Sequence, residues 1–369
     1  MKLEFKGIYG QKKAKDYLTS VVSLLREEKV DSLFLEFVGP EGVGKLTTAL
    51  VIANAVNCEG NDEIPCGICP HCIQMQHLQH PDLILLIPDM NSEKWAEVLK
   101  RREPRMFYNP VRQIRIDEIR DVEKELWRER PYSGKYRFVI VVNGENLNQY
   151  SQNAFLKTLE EPYPRTVIIF IVSRPERILP TIHSRARKVR FDALSFRDFQ
   201  QYFESFDIRI SLPLLYRITF GSIGKAKRFI RTDFLQIRLN ILKAVRNGDA
   251  EELQKVFRSF LRVKDMQEEQ EAFEPSNGYI DDFIDFYGSI ARDLLYIKGG
   301  LGDFIINLDL KEHLEELAGF VSEDKVLEML KVFREASFWL KANVDESVLP
   351  YALIAPIVGK SYQDIFRSY

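Results

Sequence analysis

The glycine-rich segment of residues 39–46 constrains the fold more than any other part of this chain. It follows the phosphate-loop pattern G-x-x-x-x-G-K-[ST] up to the last position, where Leu46 replaces the hydroxyl that should help to hold Mg²⁺. Its candidate phosphate contacts are three glycines and a lysine: Gly39, Gly42, Gly44 and Lys45. Thr47 comes one residue late, so a helix would rotate its hydroxyl about 100° away from the metal position.

Short apolar runs around this loop predict buried parallel strands, each bounded by helical or turn-rich segments. The runs lie at residues 33–38, 83–87, 138–142 and 167–172. The first leads directly into the glycine loop, and the residues from Lys45 to Val56 follow it with the pattern of a helix. This strand–loop–helix order is the context that a phosphate site requires. The alternation of elements predicts a doubly wound α/β core over residues 1–190.

From residue 194 onward the apolar periodicity becomes helical. We predict a small helical domain over residues 191–235 and a second, all-helical domain over residues 236–369. The apolar stripes of these helices are expected to form their cores, with an oligomer interface as the alternative.

All four cysteines fall in one short window with the spacing C-x7-C-x2-C-x2-C. They are Cys58, Cys66, Cys69 and Cys72. This spacing predicts one tetrahedral Zn²⁺ site in a module of about residues 57–80, and the site is structural because four sulfurs leave no open position for water. Disulfides are the alternative, which a reducing cytoplasm disfavours. One of the nearby histidines, His71, His77 or His80, could replace a cysteine as ligand, with a surface or capping histidine as the alternative.

The charge balance and the hydropathy limit the classes of partner. A formal net charge of -2 argues against a grip on nucleic acid by the whole surface. Residues 89–110 interleave arginines with aromatic residues, a pattern of either nucleic-acid contact or a solvated insertion. The sequence has no signal-peptide core and no run of about 18 apolar residues, so we expect a cytoplasmic protein that does not enter a membrane.

Five motifs together resemble bacterial clamp-loader subunits of the AAA+ class. They are the segment from Ile8 to Gln11, the glycine loop, the four-cysteine insertion, the string of residues 153–162, and Ser184 with Arg185. The Leu-Lys-Thr-Leu-Glu-Glu-Pro part of that string is highly specific for the family. The resemblance implies an AAA+ P-loop core with a zinc-binding insertion, a small helical lid domain and a C-terminal helical collar.

The same resemblance implies the partners. Clamp loaders of this class are five-membered rings within the DNA polymerase III holoenzyme, and they open a sliding clamp and place it on primed DNA. Some subunits hydrolyse ATP, whereas the delta-prime type mainly braces the ring.

Three places depart from the pattern of the ATP-hydrolysing subunits. The first is Leu46. The second is the end of the strand at 138–142, where Asp-Glu should stand but Val142 and Asn143 do, with Glu145 two residues late. The third is Gly224, at the lid position where an arginine usually reaches the γ-phosphate. Together they predict that the chain does not hydrolyse ATP and make ATP binding doubtful.

Arg185 is the residue to which the resemblance assigns a catalytic part, as an arginine finger that reaches into the nucleotide site of a neighbouring subunit. A surface salt bridge is the simpler alternative. We therefore expect a non-hydrolysing subunit that braces the ring and donates Arg185. The competing hypotheses are an active ATPase subunit and a zinc-dependent nucleic-acid binding module.

Overall fold

The structure is a computed structural model that describes residues 2–88, 106–109, 116–127, 130–231, 234–267, 278–339, 348–361 and 363. The chain divides into two compact units. The first comprises Met1–Glu204 with Gly221–Gly224, and the second comprises Ser205–Phe220 with Lys225–Tyr369. In the described ranges, no helix combines the length and the apolar character that crossing a bilayer needs.

A parallel β-sheet forms the centre of the first unit. Within the described residues it has six strands: β2 Ser32–Val38, β4 Leu83–Pro88, β5 Met106–Asn109, β6 Arg137–Val141, β7 Thr166–Val172 and β8 Arg187–Arg190. Their order across the sheet is β5-β4-β6-β7-β2-β8, and every pairing is parallel. Two short strands, β1 Lys2–Leu3 and β3 Glu63–Ile64, pair separately.

The central strands are mainly apolar because both faces of the sheet are covered. Ile169 of β7 pairs with Leu35 of β2 on one side and with Ile140 of β6 on the other, and all three residues are buried. Continuous apolar runs are typical of parallel strands in such a layer. The four strands predicted from the sequence are confirmed, with ends that shift by one residue at most.

Two strands of the sheet were not predicted. β8 consists of three basic residues and Val189, the one buried residue of the strand, which suits an edge position because charge discourages pairing with further strands. β5 lies inside the segment of residues 89–110, for which the sequence indicates either nucleic-acid contact or a solvated insertion, and it pairs with β4. Residues 89–105 and 110, including Trp95 and the three arginines of that segment, lie outside the described residues.

Seven helices are described in the first unit up to Glu204. They are α1 Lys12–Arg26, α2 Lys45–Asn57, α3 Pro70–Gln76, α4 Ile116–Leu126, α5 Gln149–Glu160, α6 Pro180–His183 and α7 Phe196–Phe203. The glycine loop connects the end of β2 to the start of α2, as the sequence predicted. Gly44 has a φ of 97° immediately before the helix, a backbone conformation that favours glycine.

Beyond Glu204, the structure describes helices and short 3₁₀ turns. The helices are α8 Leu212–Thr219, α9 Ile223–Arg231, α10 Phe234–Asn247, α11 Ala250–Gln267, α12 Gly278–Lys298, α13 Lys311–Phe320, α14 Glu323–Trp339 and α15 Leu349–Val358. The helical character expected for this part of the chain is confirmed. The domain boundaries at residues 190/191 and 235/236 stay predictions.

A buried arginine in the second unit joins α10 to the segment before α13. Arg238 on α10 is fully buried, and its guanidinium donates hydrogen bonds of 2.8 and 3.1 Å to Asp309 and of 2.5 Å to Asn307. It also lies 5.0 Å from the ring of Phe286. Burial lowers the pKa of Arg238, whereas the charge of Asp309 raises it. The acidic partner therefore offsets much of the cost of burying this cation.

We expect Arg238→Ala to lower the free energy of unfolding by about 3 kcal/mol, because it leaves Asp309 and Asn307 without their cation. Arg246→Ala is the matched control, since Arg246 lies on the same helix and pairs with Glu316 at the exposed surface. That exposed pair should contribute less than about 1 kcal/mol. Urea denaturation of both variants measures the difference, and equal effects would contradict the structural role of Arg238.

Candidate functional site

The side chain of Lys45 is turned onto the loop from which it comes. Lys45 is buried at the start of α2, and its ammonium donates to the carbonyl oxygens of Gly39 at 2.5 Å and Pro40 at 2.6 Å, and to Ser173 Oγ at 3.0 Å. An ammonium has three donors, so these bonds occupy all of them. Burial lowers the pKa of Lys45 to about 8, against the charges of Glu145 and Glu41, which raise it.

Residues Gly221–Gly224 lie directly on the glycine loop. The N–H of Gly224 donates to the carbonyl of Gly42 at 3.0 Å, and Ser222 Oγ donates to the carbonyl of Glu41 at 2.8 Å. A Cβ at Gly42 would lie 2.3 Å from Ser222 Oγ, and one at Gly224 would lie 2.8 Å from the Cα of Gly42. The two backbones approach so closely that both positions require glycine.

The hydroxyls near the loop are not placed to hold a metal at the Leu46 position. Leu46 is half-buried, Thr47 is exposed on α2, and the hydroxyl of Thr48 donates back to the carbonyl of Gly44 at 2.7 Å. Side chains of α2 therefore supply apolar contact and internal hydrogen bonds next to Lys45.

Glu145 comes closer to Lys45 than its sequence position suggests. β6 ends at Val141, Asn143 adopts a left-handed conformation with φ 49°, and a short 3₁₀ turn brings Glu145 inward. Glu145 Oε1 accepts a hydrogen bond of 3.1 Å from the N–H of Ser173. Burial raises the pKa of the Glu145 carboxyl, against backbone hydrogen bonds and the charge of Lys45, which lower it.

Arg185 presents its guanidinium at the surface. It follows α6 by two residues, and 34% of its side chain is exposed. Nη1 donates to the carbonyl of Thr181 at 2.7 Å, and Nη2 donates to Glu160 Oε1 at 2.5 Å. Glu160 is the last residue of α5 and belongs to the family string. Arg185 therefore forms a surface salt bridge, and its role as an arginine finger stays a prediction.

A buried pair lies next to this arginine. Glu36 of β2 is fully buried, and its two carboxylate oxygens lie 2.8 and 2.9 Å from Nδ1 of His183 at the end of α6. Nε2 of His183 lies 2.8 Å from the carbonyl of Pro175, so Nε2 must carry a proton. The pair joins the turn that carries Arg185 to β2, the strand next to the edge strand β8.

The four cysteines converge on one point. Their sulfur atoms all lie within 4.8 Å of one another, and they are the metal-competent group found among the described residues. Backbone N–H groups of Gly60 and Cys66 donate to the sulfur of Cys58, each at 3.3 Å. The N–H groups of Cys69 and Cys72 donate to the sulfurs of Cys66 and Cys69, each at 3.4 Å. Such donors stabilise thiolates, so these residues fit a tetrahedral metal ion.

The thiols of the cluster differ in their electrostatic environment. Backbone hydrogen bonds from Ile68 and Cys69 lower the pKa of Cys66 to about 6. Burial raises the pKa of Cys58 and that of Cys72. A bound cation would offset the cost of the buried thiolates, which is the physical reason why this donor set suits a metal.

The nearby histidines are engaged elsewhere. His71 Nδ1 lies 2.8 Å from His80 Nε2, and the N–H of Asp82 donates to His80 Nδ1 at 3.1 Å. His77 is exposed just beyond α3. The alternative in which a histidine replaces a cysteine as ligand therefore has no support in the geometry of the cluster.

Comparison with known proteins decides the family. The profile of the family described as "DNA polymerase III, delta subunit" matches residues 10–195, just over half of the chain. The chain belongs to the DNA polymerase III delta subunit family. This match confirms the predicted kinship with DNA polymerase III subunits, and the parallel sheet described above confirms the predicted α/β core.

Individual DNA polymerase III subunits match a larger part of the chain than the family profile does. This chain is 26% identical over 329 residues to DNA polymerase III subunit delta′ of Bacillus subtilis, and the match covers 87% of this chain and 89% of the relative. It is 28% identical over 192 residues to subunit gamma/tau of Mycobacterium tuberculosis, covering 52% of this chain but 29% of that longer protein. A solved gamma subunit-related protein from Thermotoga maritima is similar with a TM-score of 0.37 and 15% identity, covering 92% of this chain and 97% of that one.

Sequence reasoning missed the residues that act through tertiary contacts. Glu160 stood inside the family string without a role, and neither Ser173 nor His183 gave a signal. A charged residue inside the apolar strand β2 was the one available sign, because a buried carboxylate requires a partner.

We expect His183→Ala to lower the free energy of unfolding by about 3 kcal/mol, because the buried carboxylate of Glu36 loses its imidazole partner. The control is His77→Ala, which removes an exposed imidazole and should change stability by less than about 0.5 kcal/mol. Chemical denaturation followed by circular dichroism measures both. A loss no larger for His183→Ala than for the control would refute the anchoring role of the pair.

Proposed function

We propose that this chain is a delta-prime type subunit of a DNA polymerase III clamp loader that does not hydrolyse ATP. It braces the loader and donates Arg185 to the nucleotide site of a neighbouring ATPase subunit. The engagement of Lys45 by oxygens of its own protein is the observation that carries this function.

Lys45 would have to break three hydrogen bonds before it could neutralise a phosphate. The ammonium is buried, and the bonds to Gly39, Pro40 and Ser173 are between 2.5 and 3.0 Å long. In a working phosphate loop, the lysine instead reaches the β- and γ-phosphates. The contact between Gly42 and Gly224 adds a second cost, since the loop backbone is already covered there.

The catalytic groups of an ATPase are also incomplete. Leu46 supplies no hydroxyl for Mg²⁺, and β6 is followed by Val142 and Asn143 instead of an acidic pair. Each lost electrostatic contact to a transition state costs roughly 10²–10³ in rate. Several such losses in one site leave no hydrolysis on a biological timescale.

Arg185 suits a role in trans. Its side chain is 34% exposed, and it lies two residues beyond a short helix whose last residue, His183, is paired with Glu36 of the sheet. A guanidinium presents a rigid cationic fork that matches phosphate oxygens. An arginine supplied to a phosphoryl-transfer site from outside contributes about 10³–10⁵ in rate.

The partners follow from the family. We place the chain in a five-membered ring with other clamp-loader subunits, in the cytoplasm, where the complex opens a sliding clamp and loads it on primed DNA. The match to both delta′ and gamma/tau subunits supports a common assembly of similar chains.

We propose that the metal of the cysteine cluster is a structural Zn²⁺ held by Cys58, Cys66, Cys69 and Cys72. Four thiolates without a water position are typical of structural zinc. The module is anchored to the core by Arg26, whose guanidinium donates to the carbonyls of Ala55, Cys58 and Gly60 at 2.8, 2.7 and 2.6 Å. Zinc would fix the chain between α2 and α3 rather than take part in a reaction.

An active ATPase is the second candidate, and Glu145 is the observation in its favour. This buried carboxylate lies near Lys45, where a water-activating group would be needed. The candidate requires Mg²⁺-dependent turnover by this chain alone. Absence of turnover above background from the folded, purified chain would remove it.

In a reconstituted loader, we expect Arg185→Ala to lower clamp- and DNA-stimulated ATP turnover by at least about a hundredfold, because the neighbouring site loses its finger. Arg187→Ala is the control, since Arg187 is an exposed arginine two residues away. Unchanged turnover with Arg185→Ala would show that the chain is not the donor.

We also expect that isothermal titration of the isolated chain with ATP shows no binding at micromolar concentrations.

We expect purified protein to contain about one zinc per chain and Cys72→Ser to contain nearly none, because a tetrahedral site cannot spare a ligand. His71→Ala, which alters the histidine closest to the cluster in sequence, should keep its zinc. Elemental analysis by mass spectrometry measures the zinc content of both variants. Retention of full zinc by Cys72→Ser, or loss of it by His71→Ala, would contradict the proposed ligand set.

A further inference from the structure

The guanidinium of Arg185 is held by two anchors that belong to different helices. Nη2 donates to Glu160 Oε1 at 2.5 Å from the end of α5, and Nη1 donates to the carbonyl of Thr181 at 2.7 Å within α6. Both charged side chains are accessible, with 34% of Arg185 and 52% of Glu160 exposed. A ligand can therefore approach the guanidinium without unfolding any element.

The two anchors have a fixed relation to each other. Gln152 of α5 donates to the carbonyl of Arg177 at 3.0 Å and accepts a hydrogen bond of 2.8 Å from the N–H of Leu179. These bonds join α5 to the segment that leads into α6. Glu160 is thus held beside Arg185 by the fold and does not meet it by chance.

The ion pair between Arg185 and Glu160 contributes little to the stability of the fold. Exposed pairs between an arginine and a carboxylate add little to the folding free energy, because water and salt screen them. What such a pair does determine is the orientation of the guanidinium, whose planar fork matches carboxylate and phosphate oxygens in the same way. A carboxylate at this position is an internal substitute for a phosphate.

We infer that Glu160 is a holding residue for Arg185: its carboxylate occupies the guanidinium until the phosphate oxygens of a nucleotide on a neighbouring subunit replace it. This inference rests on the donor role proposed for Arg185. A phosphate carries more charge than a carboxylate, so the exchange favours the nucleotide once the neighbouring site is brought close. Glu160 thereby limits engagement of the finger before that approach.

The reconstituted loader provides the test, with ATP turnover measured in the absence and in the presence of sliding clamp and primed DNA. Glu160→Gln keeps the shape of the side chain and removes its charge. We expect turnover without clamp and DNA to rise about two- to fivefold, because the guanidinium is released from an exposed charge pair. Fully stimulated turnover should change less than twofold, since the nucleotide already holds the arginine there.

Glu161→Gln is the matched control, because Glu161 is the next carboxylate along the chain, is exposed, and lies just beyond α5. It should leave both rates unchanged. In the double variant with Arg185→Ala, the effect of Glu160→Gln should vanish, since the residue acts through the arginine.

Three results would overturn the holding role: no rise of unstimulated turnover with Glu160→Gln, a fall of stimulated turnover, or a rise that persists without Arg185. Failure of the donor role itself gives a different result, because Arg185→Ala alone would then leave stimulated turnover unchanged. The two proposals are therefore tested separately by the same set of variants.

Discussion

The buried ammonium of Lys45 is the central interaction of the candidate site, and the positions of the glycine loop and of the end of β7 depend on it. It is bound by two carbonyls of its own loop and by Ser173 at the end of β7, so it joins the loop after β2 to the neighbouring strand. The protein itself supplies all three acceptors, and the N–H of Gly224 donates to the carbonyl of Gly42 in the same loop.

The convergence of polar groups around Lys45 follows from how parallel strands are arranged. The carboxyl ends of β2, β6 and β7 lie at one edge of the sheet, which is where such folds bind ligands. Lys45, Glu145 and Ser173 each follow one of these strands and therefore converge. The groups around Lys45 therefore lie at the edge where parallel α/β folds bind ligands, and the donors of Lys45 are satisfied by the protein itself.

The turn after α6 differs from the surroundings of Lys45, because it combines a buried ion pair with an exposed one. His183 is directed inward to Glu36 and is bound on both ring nitrogens, whereas Arg185, two residues later, is directed to the surface and keeps part of its guanidinium accessible. A buried pair anchors the turn, and an exposed pair orients the arginine. The difference in burial is what separates a structural contact from one that another anion can replace.

The sequence alone predicts the parallel α/β core, the helical remainder, the cysteine cluster and the family, because apolar periodicity and short motif spacings are local properties of the chain. It also located Leu46, Val142 and Asn143 as departures from an ATPase. It gave no sign of β8, whose residues are basic, or of the inward turn of Glu145. The hydrogen bonds of Lys45 and the ion pair of Glu160 with Arg185 are visible only in the tertiary structure. Those contacts join residues far apart in the chain, and their geometry depends on how β-strands and helices pack.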